Sequence, residues 1–329
     1  MEPVGLNGRS VFVTGAYGLL GGWLTKALLT DGAHVTVLKR DDLPASALEL
    51  EGTEARCTVV HGDVSDAPLM QRALAEHEVD TVFHLAAQTI VGVAGRSPVG
   101  TFETNVRGTW NVLEACRSLG VGRVVVAASD KAYGSHDELP YREASTPLAP
   151  RFPYEASKAA ADLIARSYWH AYELPVAVTR FANLYGGGDA NRSRLIPEAI
   201  AAALAGRAPV IRSDGSPQRD YLYVEDAVAA YLAIAAALDG SGARGEAFNA
   251  GTGEPRSVLE VVSLVCAAAG TDVVPDVRGA GVPAGEIDRQ YVDAAKLHAL
   301  TGWAPEVALD DGLHRTVAWY REHPVLLAA

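Results

Sequence analysis

In "YEASK", Tyr154 and Lys158 stand four residues apart, a pair whose types and spacing can move a proton. On a helix that spacing puts both side chains on one face. A free phenol titrates near pH ~10, too high for a base at neutral pH. A neighbouring ammonium favours the phenolate and lowers that value. Upstream, "AASDKAYG" (127–134) sets Asp130 and Lys131 side by side where an apolar run ends. One reading of that second pair is a salt-bridged turn. The other is a general acid beside a general base. For acid–base work the lysine must be depressed by burial, while the carboxyl must stay protonated long enough to donate. A simple ion pair would do the reverse to each.

A third group of residues reads as a cofactor cradle. "VFVTGAYGLLGGWL" carries Gly15, Gly18 and Gly21 directly after a β-branched run and at the start of a helical pattern. Glycines there permit a tight turn and close approach of a pyrophosphate, whose charge sits at the helix N-terminus. Tyr17, Leu19 and Leu20 belong to the same turn. At the end of the next run stand Lys39 and Arg40, with Asp41 and Asp42 beyond. An acid at that place hydrogen-bonds a ribose 2′-hydroxyl, as in NAD, and a base accommodates the 2′-phosphate of NADP. The two basic residues lean toward NADP; a solvated charge cluster is the other reading. Asp63 in "HGDV", followed by Val64, is placed to reach an adenine edge. Leu85, Ala86, Ala87 and Gln88 in "HLAAQ" end a further run beside the cofactor.

These residues need a scaffold, and the pattern around them supplies one. "SVFVTG", "HVTVLK", "CTVV", "TVFHLAA", "RVVVAAS" and "PVAVTRF" are short, Val-rich and largely apolar, as expected of strands covered on both faces. Helical patterns alternate with them: Leu20, Trp23, Leu24, Ala27 and Leu28 recur at helical spacing, with Gly32 as a stop, and 101–120 and 153–174 also read as helices. Strict alternation predicts βαβ units and a doubly wound parallel sheet, a Rossmann-type α/β fold. Past Phe181 the texture becomes loop-rich, with Gly- and Pro-rich connections at 183–194, 205–220 and 274–290. We expect a dinucleotide-binding domain over 1–181, with 222–251 returning to it, and a smaller C-terminal substrate-binding domain over 182–329.

Composition bounds the partners. The chain has 329 residues, 49% hydrophobic and 21% charged, as an ordinary globular protein does. A net charge of −12 argues against nucleic acid and anionic membrane surfaces. The opening "MEPVGLNGRS" has no basic head or apolar stretch, and no apolar run approaches a membrane span, so a cytoplasmic location is expected. Cys57, Cys116 and Cys266 show neither metal spacing nor a disulfide framework, and no metal site is expected.

In order along the chain, the Gly motif, "AAQ", Asn105 in "ETNVRGT", Ser129, Tyr154/Lys158, "RFANLYGGGD" and "PQRDYLYVEDAV" resemble the extended short-chain dehydrogenase/reductase superfamily. The resemblance is to its nucleotide-sugar epimerases and dehydratases and spans nearly the whole chain. It implies a tightly bound, recycled NAD or NADP held partly by Asn105, Tyr154 and Lys158. It implies that Ser129 hydrogen-bonds the sugar O4 while Tyr154 removes its proton. The Ser-Asp-Lys triplet is most similar to CDP-glucose 4,6-dehydratases, and resembles also the UDP-N-acetylglucosamine dehydratases that carry Asp-Lys. By that resemblance Lys131 would take the C5 hydrogen and Asp130 would protonate the departing C6 hydroxyl. The substrate is then a nucleotide diphosphate hexose, its phosphates met by Asn183, Arg194, Arg212, Arg219 and Arg289, with Gln88 also substrate-binding; bidentate guanidinium contacts suit phosphate. Two alternatives remain at this stage, a nucleotide-sugar 4-epimerase and a non-catalytic dinucleotide sensor. The helices near 101–118 and 154–173 carry apolar residues on more than one face, and the family pairs their counterparts, which implies a homodimer.

Overall fold

The computed structural model describes residues 5–42, 45–282 and 287–328; Met1 to Val4 of the opening segment, and 283–286 of the last Gly/Pro-rich connection, lie outside the described residues. Six of the strands read from sequence form in place: β1 Ser10–Thr14, β2 His34–Lys39, β3 Thr58–His61, β4 Thr81–His84, β5 Arg123–Ala127 and β6 Val176–Phe181. A seventh, Ala247–Ala250, returns from the second half of the chain to pair with β6. Every ladder in this sheet is parallel, and the spatial order is β3-β2-β1-β4-β5-β6 followed by Ala247–Ala250. The order reverses between β1 and β4. In open parallel sheets, ligands bind in the crevice at that reversal, outside the carboxyl ends of the strands. Here that crevice lies between Gly15 and Leu85.

Burial explains the strand composition. Val11, Phe12, Val13, Val82, Phe83, Val124, Val125 and Val126 are all essentially inaccessible. One face of the sheet packs on helix Leu19–Thr30 (α1) and on Val224–Ala237, through Leu24, Leu28, Tyr231 and Ile234. The other face packs on Ala67–Glu76, Gly108–Leu119 and Pro153–Tyr172, through Met70, Val112, Leu113 and Ala165. A further apolar cluster joins helices Leu195–Leu204, Val258–Ala268 and Leu309–Glu322 around Ile200, Val262, Leu313 and Tyr320. Among the described residues no helix is long and apolar enough to cross a membrane.

The stretch 101–120 departs from a single regular helix. Pro98–Phe102 runs into a π-turn at Glu103–Arg107, and α-helix resumes at Gly108. Wide turns of this kind interrupt helices mostly where a side chain is needed in an exact direction. The residue at its centre is Asn105.

Candidate active site

The glycine turn is built by its neighbours. Gly15 sits at φ +76°, and a Cβ there would meet Ala86 N at 2.7 Å and Leu85 C at 2.8 Å. A Cβ on Gly21 would lie 2.1 Å from Gly15 O, so only glycine lets α1 start this close to the turn. Thr14 fixes the opposite wall: its Oγ1 accepts from Leu85 N and Ala86 N, each at 3.2 Å. His84 holds Thr14 in turn, with Nδ1 2.8 Å from Thr14 Oγ1 and Nε2 3.1 Å from Thr109 Oγ1. Burial, then the charge of Lys158, pushes this imidazole down to about 3, so it stays neutral and acts as a strut. These close approaches leave bare backbone and the N-terminus of α1 facing the crevice, a cradle that fits a dinucleotide pyrophosphate. The Val64 backbone beside it is set by Asn111 Nδ2, which donates to Val64 O and Ser65 O at 3.0 Å, while Asp63 Oδ1 accepts from Ser65 N at 2.8 Å.

Asn105, from the π-turn, stitches three elements together. Its Oδ1 accepts from Gln88 N at 2.7 Å, and its Nδ2 donates to Gln88 O at 3.1 Å and to Ser157 Oγ at 2.9 Å. Ser157 Oγ donates to Tyr154 O at 2.7 Å. Asn105 therefore positions the "AAQ" segment and the first turn of the helix carrying Tyr154 and Lys158. Gln88 has its own Oε1 occupied by Ile90 N at 2.7 Å.

Ser129, Asp130, Lys131, Tyr154 and Lys158 converge beyond the end of β5. Ser129 caps the short 3-10 turn Asp130–Tyr133, accepting from Lys131 N at 3.2 Å, and its hydroxyl lies 3.1 Å from Asp130 Oδ1. Tyr154 lies close enough to Ser129 for that hydroxyl to act on its phenol. Burial raises the Tyr154 phenol, Arg194 pulls it down, Asp130 raises it and the Ser129 hydroxyl lowers it, with a net rise. The expected influence of Lys158 on that phenol is replaced by that of Arg194. Lys158 is 5% exposed and its Nζ donates to Ala127 O at 2.8 Å, with burial depressing it to about 8.

Asp130 is 2% exposed, and its Oδ2 has no hydrogen-bond partner among the described residues. Burial raises this carboxyl, against the opposing charge of Lys131, the Ser129 hydrogen bond and Arg219. A surface salt bridge would show the opposite balance. Arg180 locks the assembly from below. It pairs with Asp162 at 2.7 and 3.0 Å, both side chains buried, and donates to Tyr133 OH at 3.0 Å. The helix bearing Tyr154 and Lys158, β6 and the turn bearing Asp130 are thus tied at one guanidinium.

The expected phosphate-binding arginines divide. Arg194 is close enough to act on Tyr154 and is paired with Asp189 at 2.9 Å; Arg219 acts on Asp130. Arg212 is exposed and bound to Glu198 at 2.9 Å, and Arg289 lies over the Tyr291 ring at 5.1 Å. Asn183 reaches Asp220 O through N and Nδ2, at 3.1 and 3.4 Å. Next to Arg289, Gln290 is fully buried, and neither of its amide atoms has a hydrogen-bond partner among the described residues. It is in register with Arg219 on the adjacent parallel strand, so it shares the face from which Arg219 acts. Sequence gave no sign of it.

Residues 11–251 match the model of the NAD dependent epimerase/dehydratase family. The chain belongs to that family. This epimerase/dehydratase chain is 32% identical over 327 residues to a dTDP-glucose 4,6-dehydratase of Xanthomonas campestris, covering 94% of the chain and 92% of the relative. It is 34% identical to a UDP-glucose 4-epimerase of Mycolicibacterium smegmatis, covering 94% and 97%. Its fold superposes with a TM-score of 0.87 and 33% identity on the dTDP-glucose 4,6-dehydratase DesIV of Streptomyces venezuelae, solved with NAD bound, covering 96% and 98%. A UDP-glucose 4-epimerase of Thermotoga maritima, solved with UDP-glucose, gives a TM-score of 0.87 at 27% identity, covering 96% and 100%. Membership in this NAD-dependent family makes the protein a nucleotide-sugar dehydratase or epimerase, with NAD as its cofactor.

Proposed function

We propose that the protein is a nucleotide-sugar 4,6-dehydratase, converting a nucleotide diphosphate hexose to its 4-keto-6-deoxy product. The observation that carries this reading is Asp130, a buried carboxyl raised by desolvation, with one oxygen unpartnered, beside Lys131 and within hydrogen-bond reach of Ser129. NAD held in the glycine cradle would supply the acceptor for the C4 hydride and give that hydride back to C6 while C5 regains a proton, so one turnover needs no outside reductant. Ser129 and Tyr154 hold the sugar 4-hydroxyl. Burial raises the Tyr154 phenol, so for it to take that proton as C4 is oxidised the positive charges of Arg194 and of a bound nicotinamide must offset that rise. The resulting C4 ketone acidifies the C5 hydrogen. Lys131 removes that hydrogen, and Asp130 protonates the C6 hydroxyl so that it leaves as water. Asp130 suits this task because burial raises its carboxyl toward the protonated form that an acid needs. Arg194 and Arg219 face the same cluster and hold the substrate's phosphates, with Asn183 and Gln88 at the margin. The dehydratases and epimerases above are described with dTDP- or UDP-linked sugars; the cytidine expectation rests on the Ser-Asp-Lys triplet alone.

The test separates the two halves of the reaction. Asp130→Asn combined with Lys131→Ala leaves Ser129, Tyr154 and Lys158 in place, so the variant should still oxidise C4. Nicotinamide absorbance should then report reduced cofactor that builds up while dehydration falls by about 10²–10⁴-fold. Release of dehydrated product at near wild-type rate would remove the acid–base role of the pair. An isomer of equal mass from wild type, with no loss of water, would leave the 4-epimerase, which the relative at 34% identity favours.

A further inference from the structure

Lys39 and Arg40, at the mouth of the cofactor cradle, have surroundings that reverse the preference their types suggest. Thr14 is in register with Leu38, so Lys39 stands level with Gly15, where a second strand meets a dinucleotide's adenosine ribose. Its ammonium is spent on carboxylates: Glu49 Oε1 at 2.8 Å, Glu54 Oε1 at 3.0 Å and Asp42 Oδ1 at 3.2 Å. Tyr17, inside the glycine turn, donates to Glu54 Oε1 at 2.6 Å, and the Lys39 ammonium lies 5.1 Å from its ring. Glu49 is itself fixed by Ser46, whose hydroxyl donates to Glu49 Oε2 at 3.0 Å and accepts from Glu49 N at 3.2 Å. Arg40 is similarly engaged by Asp41 at 2.6 Å, with Asp63 at 4.0 Å.

From this geometry we infer that Glu49 and Glu54 are specificity-determining residues that make the site reject the 2′-phosphate of NADP. They act through Lys39, holding the cation that would otherwise receive that phosphate. The two cations face five carboxylates, so the pocket carries excess negative charge. NADP brings about two further negative charges to it. A ribose 2′-hydroxyl brings none and can donate to a carboxylate. The inference rests on the dinucleotide reading of the glycine turn, and binding of NAD itself is the control for that reading.

The experiment is displacement of bound cofactor from the full-length protein by added NAD or NADP, with the exchanged dinucleotide quantified by chromatography. Wild type should retain NAD in preference to NADP, and raising the ionic strength should narrow that preference. The Glu49→Gln/Glu54→Gln variant should gain about tenfold in NADP affinity, the scale of one charge-assisted contact. Its NAD affinity should change much less. Adding Lys39→Met should erase the gain, which a merely structural loss of ion pairs would not do. No gain in the double variant, or a gain that survives Lys39→Met, would overturn the inference. Should the variants fail to fold, a wild-type preference unmoved by salt would overturn it. A wild-type protein that retains neither dinucleotide would overturn the reading of the cradle, and this inference with it.

Discussion

At the scale of single residues, the site runs on groups whose burial sets their protonation. Lys158 is the clearest case, because burial alone depresses it, from 10.5 to about 8. The linkage follows from the direction of that shift. Below pH 8 the lysine is protonated in both states, and the full cost of burying its charge weighs on the folded protein. Between about 8 and 10.5 the folded state has lost the proton and the unfolded chain has not, so stability rises with pH. Lys158→Met removes the group. The stability of wild type relative to Lys158→Met should therefore climb across that window and level off above it, as read by urea unfolding at a series of alkaline pH values. A flat difference would mean that the ammonium is solvated. Residue types and the family resemblance marked Tyr154, Lys158, Asp130 and Ser129, which the structure brings together beyond the end of β5. They did not reveal that Lys39 is bound by Glu49 and Glu54, because those partners lie 10 and 15 residues away on short helices. A base at a strand end reads as a phosphate ligand until its neighbours are known. Gln290 was missed for a related reason: it sits in a two-residue strand, too short for a period-2 pattern to say which way a side chain faces.

At the scale of elements, backbone proximity decides which glycines matter. Gly21 and Gly18 look equivalent in the motif, yet a Cβ on Gly21 would overlap Gly15 O, whereas one on Gly18 would meet the same atom at 3.4 Å. Gly21→Ala must push α1 away from β1, so it should abolish retention of NAD and lower the melting temperature. Gly18→Ala should keep a near-normal melting temperature, because within the protein its Cβ meets only an ordinary contact. Equal losses in both would mean that the turn is not shaped by contact between α1 and Gly15. The strands were legible because an all-parallel sheet buried on both faces demands short Val-rich runs, and six such runs stand in the sequence. The π-turn at Glu103–Arg107 was not. The periodicity of 101–120 reads as one helix, and one widened turn shifts the pattern by too little to register. Its purpose shows only in three dimensions, where Asn105 reaches both Gln88 and Ser157.

At the scale of the whole molecule, the helices around the site leave apolar surface uncovered. Val99 is 72% exposed and Leu163 57%, with Phe102, Trp110 and Tyr172 also exposed, across the three neighbouring helical segments Pro98–Phe102, Gly108–Leu119 and Pro153–Tyr172. Such a face belongs at an interface, and a second copy of the chain is the expected occupant. Sedimentation at micromolar concentration should show a homodimer, and Leu163→Glu should shift it toward monomer; a wild-type monomer would remove this expectation. The proposed division at about residue 181 is functional more than spatial. Ala247–Ala250 returns to the first sheet, and Tyr154 of the cofactor half already feels Arg194 of the second half. Dehydration needs that proximity, because the hexose must meet Ser129, Asp130 and Lys131 while its phosphates meet the arginines. The most direct measurement is mass spectrometry of a panel of nucleotide diphosphate hexoses incubated with the protein in heavy water, without added reductant. The account predicts a product lighter by one water that carries solvent deuterium at C5. A product of unchanged composition that differs only in the configuration of C4 would contradict it.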